Sequence, residues 1–389
     1  MVPIDSSGFL MVEEKEQQHN KKRRRLTWDV AASPAEQQEA EVRQRHISPP
    51  KRKDDREGHY TYNLGENLTP RYKILSKMGE GTFGRVLECW DRETRGYVAI
   101  KVVRSIRKYR DAAMIEVDVL EQLAKNHKGR SQYVSFTFVS VLHHSWMLSS
   151  LQLFLQLCPD PELVRLPQSY MHNMHSLGLI HTDLKPENIL LVSSDYLKLP
   201  GYKRTSQGET HFRCLPKSSE IKLIDFGSTA YDNQKHSSIV STRHYRAPEV
   251  ILGIGWSYPC DMWSIGCILV ELFTGEALFQ THENLEHLAM MERVLGPLPE
   301  HMVQRANQGA EKYFRRSRLK WPEGAVSRES IRAVRKLDRL KNMISGCVSY
   351  GGLRSCIVDL LYGLLKFDPE ERLTAEEALD HPFFRNTHA

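Results

Sequence analysis

Residues His181 to Asn188 read H-T-D-L-K-P-E-N and set a carboxylate, an ammonium and an amide within one short loop. That combination suits phosphoryl transfer, in which a protein positions a hydroxyl, a phosphate and Mg²⁺ and does little covalent chemistry of its own. Asp183 would accept or orient the substrate hydroxyl, and Lys185 would neutralise the transferring phosphoryl group. Asn188 would hold Mg²⁺ through its amide oxygen. A charged octet can equally be a solvated turn, so the rest of the chain must supply the other parts of such a site.

Those parts occur in order. Gly79-Glu80-Gly81-Thr82-Phe83-Gly84 matches G-x-G-x-x-G. In a dinucleotide-binding fold this turn opens a helix, but Arg85 to Trp90 reads as a strand, so the glycines belong to a hairpin. Without side chains they let backbone amides approach phosphate oxygens, and Val86 would then cover a base. Val98-Ala99-Ile100-Lys101 ends an apolar strand on a lysine, and Glu116 follows 15 residues later on a helix beginning near Ala112. An ion pair between them would aim the ammonium at the α and β phosphates. Asp225-Phe226-Gly227 follows the apolar strand Ile221 to Ile224, 42 residues beyond Asp183. Asp225 is placed to chelate Mg²⁺ while Phe226 packs inward. Ala247-Pro248-Glu249 closes a 25-residue segment begun at Asp225. Arg372 could pair with Glu249 and brace that segment, and Asp261 could accept hydrogen bonds from the backbone of the catalytic loop.

The elements that would position these groups fall into two sets. Arg71 to Lys77, Arg85 to Trp90 and Gly96 to Val103 predict a three-stranded meander. Helical periodicity starts at Ala112 to Leu123 and dominates after Val250, at Asp261 to Leu272, Leu285 to Val294 and Ser355 to Leu365. Residues 1 to about 65 are rich in Glu, Gln, Lys and Arg, with few periodic apolar residues, and predict a disordered tail. Within the tail Lys21 to Arg25, K-K-R-R-R, is a candidate nuclear-import signal, and Ser48-Pro49 a candidate phosphorylation site.

At 389 residues the chain exceeds what one hydrophobic core usually serves. The formal charge of +6 is spread along the chain, which argues against a dedicated nucleic-acid binder. Seven cysteines form no C-x-x-C pair, so neither a disulfide framework nor a zinc cluster is indicated. The first 11 residues lack the cationic and apolar runs of a secretory signal. Residues 131 to 159 contain no Asp, Glu, Lys or Arg, but Ser, Thr, Gln and His supply 12 of these 29 positions. So polar a stretch favours two buried strands over a membrane span.

Motif by motif, the residues resemble the eukaryotic protein-kinase superfamily. Glu286-His-Leu-Ala-Met-Met-Glu-Arg293 narrows this to the LAMMER-type, or cdc-like, dual-specificity kinases, with the surrounding sequence most like plant members. Thr182 and the long insert Val192 to Glu220, expected as a looped-out hairpin, agree with that subfamily. The resemblance implies an α+β bilobal kinase fold, with a β-rich N-lobe at about 72–157 and an α-rich C-lobe at about 163–384. It implies ATP and Mg²⁺ as cofactors. Asp183 and Lys185 would be catalytic, and Asn188 and Asp225 would hold metal. Gly79 to Gly84, Val86, Ala99, Lys101, Glu116 and Leu190 would bind nucleotide. It further implies autophosphorylation on tyrosine, transfer to serine and threonine, protein substrates among the Arg/Ser-rich splicing factors and a nuclear location. Neither direct nucleic-acid binding nor a membrane is expected.

Two departures from the family pattern matter. Most kinases carry arginine where this chain has Thr182, to bind a phosphate on the activation segment, and threonine cannot make that bidentate charged contact. Activity is therefore expected without obligatory phosphorylation there. Between residues 131 and 170 the family's hinge sequence is unrecognisable, with Ser150 to Leu157 as a candidate strand and Cys158 to Glu162 as a candidate hinge. Pro167 predicts a break in the helix entered at Leu163 to Arg165, since proline inside a helix costs about 3 kcal/mol. An active kinase and a catalytically impaired isoform that binds splicing factors both fit this pattern.

Overall fold

The computed structural model describes residues 54–126, 161–193, 195–204, 210–234, 237–345 and 351–385. Lys21 to Arg25, Ser48-Pro49 and the uncharged stretch 131–159 with its expected strands and hinge lie outside the described residues. The chain divides into two compact units after Val117.

In the first unit β1 (Tyr72–Gly81), β2 (Gly84–Asp91) and β3 (Gly96–Val103) form an antiparallel sheet in the order β1-β2-β3, as expected for a meander. Ile74, Leu87, Cys89, Val98, Ile100 and Val102 alternate onto one face and form a core with Tyr60 and Leu68. Each such side chain contributes roughly 1.5–3 kcal/mol of burial. The register sets Gly79 opposite Val86, Val86 opposite Lys101 and Glu88 opposite Ala99. Gly79, Val86, Ala99 and Lys101 therefore share the other face of the sheet.

Residues 54–65, which the sequence assigns to the tail, pack on the first unit. Tyr60 is 5 % exposed, Arg85 Nη1 donates to its carbonyl at 3.1 Å, and Arg85 Nη2 meets Asp55 at 3.0 Å. Tyr60, Tyr62 packed beside it and the Arg85 anchor give residues 54–65 a burial that their charged composition hides. Helix α1 (Arg107–Asn126) follows β3, with Tyr109 and Ala113 against Val103. Its second half belongs to the other unit, where Gln122 Nε2 donates to the Leu177 carbonyl at 3.5 Å. Among the described residues the division falls inside α1, and the expected boundary near residue 157 lies outside them.

The second unit is mainly helical. Helix α2 (Pro161–Ser176) contains Pro167 and is not broken by it, contrary to expectation. Its C-terminal half is held by tertiary contacts that outweigh one missing hydrogen bond: Met171 and Met174 are fully buried, and Tyr170 Oη donates to the Ile221 carbonyl at 2.6 Å. Short strands follow: β4 (Leu179–Ile180), β5 (Ile189–Leu191), β6 (Tyr196–Arg204), β7 (Thr210–Pro216), β8 (Ile221–Leu223) and β9 (Ala230–Tyr231). They pair as β4-β9, β5-β8 and β6-β7, so the insert 192–220 forms the expected hairpin.

Beyond them come α3 (Pro248–Leu252), α4 (Pro259–Thr274), α5 (Asn284–Leu295), α6 (Glu300–Gln304) and α7 (Gln308–Glu311). A two-stranded ribbon of β10 (Phe314–Arg315) and β11 (Arg318–Leu319) precedes α8 (Arg328–Lys336). The unit ends with α9 (Leu340–Ser345), α10 (Gly351–Leu364), α11 (Ala375–Leu379) and α12 (Pro382–Arg385). Helix α4 is apolar all round and buries 13 of its 16 residues, the pattern of a helix at the centre of a core. At Gly266 a Cβ would come within 2.8 Å of Leu365, so glycine permits α4 to pack closely on the end of α10.

Candidate active site

The octet connects β4 to β5, which pair with β9 and β8 respectively. Asp261, in the first turn of α4, fixes its start. Its carboxylate accepts from His181 N at 2.8 Å and from Thr182 N at 2.9 Å, the role expected from sequence. Thr182 has φ 66°, a conformation unfavourable for a β-branched residue. Its Oγ1 donates to the Ser228 carbonyl at 2.7 Å, and together with Asp261 this holds the loop against that strain. His181 packs on the Phe226 ring with centroids 5.4 Å apart. Burial pushes its imidazole pKa down despite three nearby carboxylates.

Asp183 projects from this fixed loop. Lys185 Nζ donates to its Oδ2 at 2.8 Å, and Thr242 donates to its Oδ1 through Oγ1 at 2.7 Å and N at 3.0 Å. Burial pushes its pKa up, but the hydrogen bonds from Lys185 and Thr242 outweigh it and hold the carboxyl below its usual range. A carboxylate has about four lone-pair sites. Three are used, and the remaining one can accept from a hydroxyl. Thr242 had no place in the sequence reading. Its only signal there is its position in Ser241-Thr-Arg-His-Tyr-Arg246, just before Ala247-Pro248-Glu249.

Asn188 Nδ2 donates to the Asp183 carbonyl at 2.9 Å, leaving its amide oxygen without a hydrogen bond among the described residues. The Asn188 carbonyl accepts from Ile224 N at 3.0 Å, which brings Asp225 next to it. Asp225 itself has φ 65°, a turn out of β8 that aspartate tolerates better than most residues. An amide oxygen beside a carboxylate is a hard donor set that fits Mg²⁺. Phe226 is buried at 2 % exposure, as expected, and Leu190 is buried in β5.

In the first unit Lys101 Nζ meets Glu116 Oε2 at 3.0 Å, so the expected pair forms. Glu116 is 3 % exposed, and Lys101 also lies 5.4 Å from the centre of the Phe83 ring. The glycine motif is a hairpin: Glu80 pairs with Arg85 and Gly81 with Gly84, leaving Thr82-Phe83 as the turn. Added Cβ atoms at Gly79 and Gly81 would meet nothing within 4 Å, so backbone there is open to a phosphate. Gly84 has φ 153°, and a Cβ would stand 2.1 Å from the Val102 carbonyl oxygen. The Glu80 side chain is engaged otherwise, by Arg85 at 2.9 Å and Lys77 at 3.1 Å, which pull its carboxyl down to about 2. Glu80 can therefore offer a phosphate only its backbone.

Bracing groups complete the second unit. Arg372 clasps Glu249 with two bonds of 2.7 and 2.9 Å, both side chains being fully buried. The LAMMER string occupies α5, with Leu288, Ala289 and Met291 buried and Leu285 half-buried, as its amphipathic pattern suggests. Its charged residues also bond to neighbouring segments: Glu286 accepts from Ser330 Oγ at 2.7 Å, and Arg293 donates to the Leu337 carbonyl at 2.8 Å. Packing, with these ties to α8 and the residue that follows it, is what the string does in the fold.

Comparison with known proteins agrees with this geometry. The protein kinase domain family matches residues 168–384. Serine/threonine-protein kinase AFC3 of Arabidopsis thaliana is 62 % identical over 383 residues, covering 93 % of this chain and 95 % of that protein. Dual specificity protein kinase CLK2 of Homo sapiens is 40 % identical, covering 86 % of this chain and 68 % of that one. A solved kinase-domain crystal structure superposes with a TM-score of 0.71 at 35 % identity, covering 85 % of this chain and all of that one. Catalytic-loop geometry, the Lys101–Glu116 pair and these relatives converge: the chain belongs to the protein kinase family, as a plant-like LAMMER-type kinase.

Proposed function

We propose that this kinase transfers the γ-phosphate of Mg²⁺-ATP to serine and threonine in Arg/Ser-rich splicing factors in the nucleus, and autophosphorylates on tyrosine. The carrying observation is Asp183: bonded at three lone-pair sites by Lys185 and Thr242, it has one direction open for a substrate hydroxyl. Asn188 and Asp225 would hold Mg²⁺, which neutralises phosphate charge when bound. In the first unit Lys101, oriented by Glu116, would hold the α and β phosphates, the open glycine backbone at 79–84 would cover the phosphates, and Val86 and Ala99 would line the base. Lys185 neutralises the phosphoryl group in transfer.

Two carboxylates support a basic substrate. Glu187 Oε2 is buried with no hydrogen-bond partner among the described residues. Burial, and then the Glu187 charge, raise the pKa of Glu271 against the hydrogen bond from Tyr245. Among the described residues neither carboxylate makes an ion pair, and a substrate guanidinium would supply the missing cation. Lys21 to Arg25 supports nuclear import.

The test compares an Arg-Ser repeat peptide with a peptide whose serines are flanked by glutamate, using Asp183→Asn as the inactive control. The reading expects the basic peptide to be preferred and Glu187→Gln to raise its KM more than it lowers kcat. Equal use of both peptides refutes the basic preference. Absence of transfer to either supports the impaired-isoform alternative.

A further inference from the structure

The charge of the chain is not evenly spread. Lys312 to Lys341 holds eleven Lys and Arg against three Asp and Glu, a formal +8 within a chain of +6, so all other residues together carry −2. The whole-chain average concealed this block. In the fold it becomes two surfaces carried by the same helix, because α5 packs against both β11 and α8.

On α8, Ser330 and Val334 face inward. Arg328, Arg332, Arg335 and Lys336 are exposed at i, i+4, i+7 and i+8, which aligns them along one side. At about 1.5 Å rise per residue Arg328, Arg332 and Arg335 are spaced by about 6 and 4.5 Å along the axis, with Lys336 adjoining Arg335. On the ribbon, Arg315, Arg316 and Arg318 surround a tight turn whose residues Arg316 and Ser317 have φ of 51° and 55°. Arg332 bonds to Glu329, itself exposed, at 2.8 Å. Among the described residues the side chains of Arg315, Arg316, Arg318, Arg328, Arg335 and Lys336 have neither a hydrogen bond nor an ion pair. Tyr313 and Trp321, both half-buried, flank the ribbon in the sequence, and Lys312 Nζ stands 5.2 Å from the centre of the Tyr313 ring.

We propose that Lys312–Lys341 is a binding surface for a single-stranded polynucleotide. A row of exposed cations, of which only Arg332 is paired, near aromatic rings is the arrangement that follows a phosphate backbone and stacks bases. A phosphorylated Arg-Ser segment is also anionic, but each of its phosphates is followed by a guanidinium that this surface would repel. A polynucleotide has no such cations. The surface lies outside the catalytic loop, so it would hold the kinase on a nucleic acid while leaving peptide phosphorylation unchanged.

The test is fluorescence anisotropy of the full chain with a 20-nucleotide uridine RNA, the same length of single-stranded DNA, a duplex and a phosphorylated Arg-Ser peptide, each across a salt series. For single strands the slope of log K against log salt is about −0.7 per phosphate contact. The Arg328→Gln, Arg332→Gln, Arg335→Gln, Lys336→Gln variant should bind the RNA at least tenfold more weakly, with a slope shallower by about 3. Its melting temperature should be unaltered, since all four residues are exposed, and its kcat/KM on peptide unchanged. A variant with Lys21 to Arg25 replaced by glutamine should keep the wild-type slope. Single-stranded DNA binding as tightly as RNA fits the proposal and assigns no sugar preference. Preference for the duplex, tighter binding of the phosphopeptide, loss of binding only in the Lys21 to Arg25 variant, or an α8 variant equal to wild type would each overturn it.

Discussion

Thr182 Oγ1 donates to the Ser228 carbonyl at 2.7 Å, so the catalytic loop is tied to the start of the activation segment by an uncharged hydrogen bond. Ser228 lies three residues past Asp225, and this tie fixes the turn that presents the aspartate. Arginine at position 182 would depend on a phosphate for such a tie, and threonine does not. Phosphatase-treated enzyme is therefore expected to retain most of its activity. Thr182→Val should lower kcat severalfold and stability by about 1 kcal/mol. Near-complete loss of activity on dephosphorylation would contradict this account.

Thr242 makes two of the three bonds to Asp183, from a segment 59 residues further along the chain. Thr242→Val keeps the backbone bond and removes the hydroxyl. It should lower kcat about tenfold with little change in KM for ATP, as expected for lost positioning of the reacting group. Steady-state kinetics on one peptide separates the two parameters, and a change confined to KM would remove Thr242 from the catalytic machinery.

Arg372 and Glu249 are both fully buried, and the guanidinium also donates to the carbonyls of Pro259, Lys366 and Phe367. Removing one partner leaves a buried charge unpaired, so Arg372→Ala should destabilise the second unit by roughly 3–5 kcal/mol. Chemical denaturation would show this as a lower midpoint. A shift under 1 kcal/mol would mean that the pair is hydrated in solution.

His287, within the LAMMER string, is fully buried on Phe279, and burial, then Arg243, pushes its pKa from 6.5 down to about 3. The unfolded imidazole takes up a proton below pH 6.5 and the folded one does not until about 3, so folding loses stability as pH falls through that window. The slope is about 1.4 kcal/mol per pH unit. His287→Gln should flatten the stability profile between those limits in urea titrations at several pH values. An unaltered profile would show that His287 is protonated in the fold.

The sequence made the catalytic loop, the glycine hairpin, Lys101–Glu116 and the Asp261 and Arg372 braces readable, because each depends on a residue type that few other functions require at that spacing. The meander and α4 were readable from period and length. What escaped were contacts whose partners are remote and chemically ordinary. Thr242 is one threonine among many until Asp183 meets it. Residues 54–65 look like tail until Arg85 and the sheet core receive Asp55 and Tyr60. Pro167 reads as a helix break because its local cost is visible, whereas the burial of Met171 and Met174 that offsets it is not. The basic block at 312–341 disappears into an average taken over the whole chain.

The central claim is that Asp183, oriented by Lys185 and Thr242, serves phosphoryl transfer from Mg²⁺-ATP. Thermal shift with Mg²⁺-ATP, run beside phosphorylation of an Arg-Ser peptide by wild type and Asp183→Asn, tests it most directly. The account predicts a nucleotide-dependent rise in Tm for both proteins and transfer by wild type alone, with the variant slower by at least 10²-fold, the lower end of what general-base catalysis supplies. Wild type that neither shifts with Mg²⁺-ATP nor transfers phosphate would contradict it.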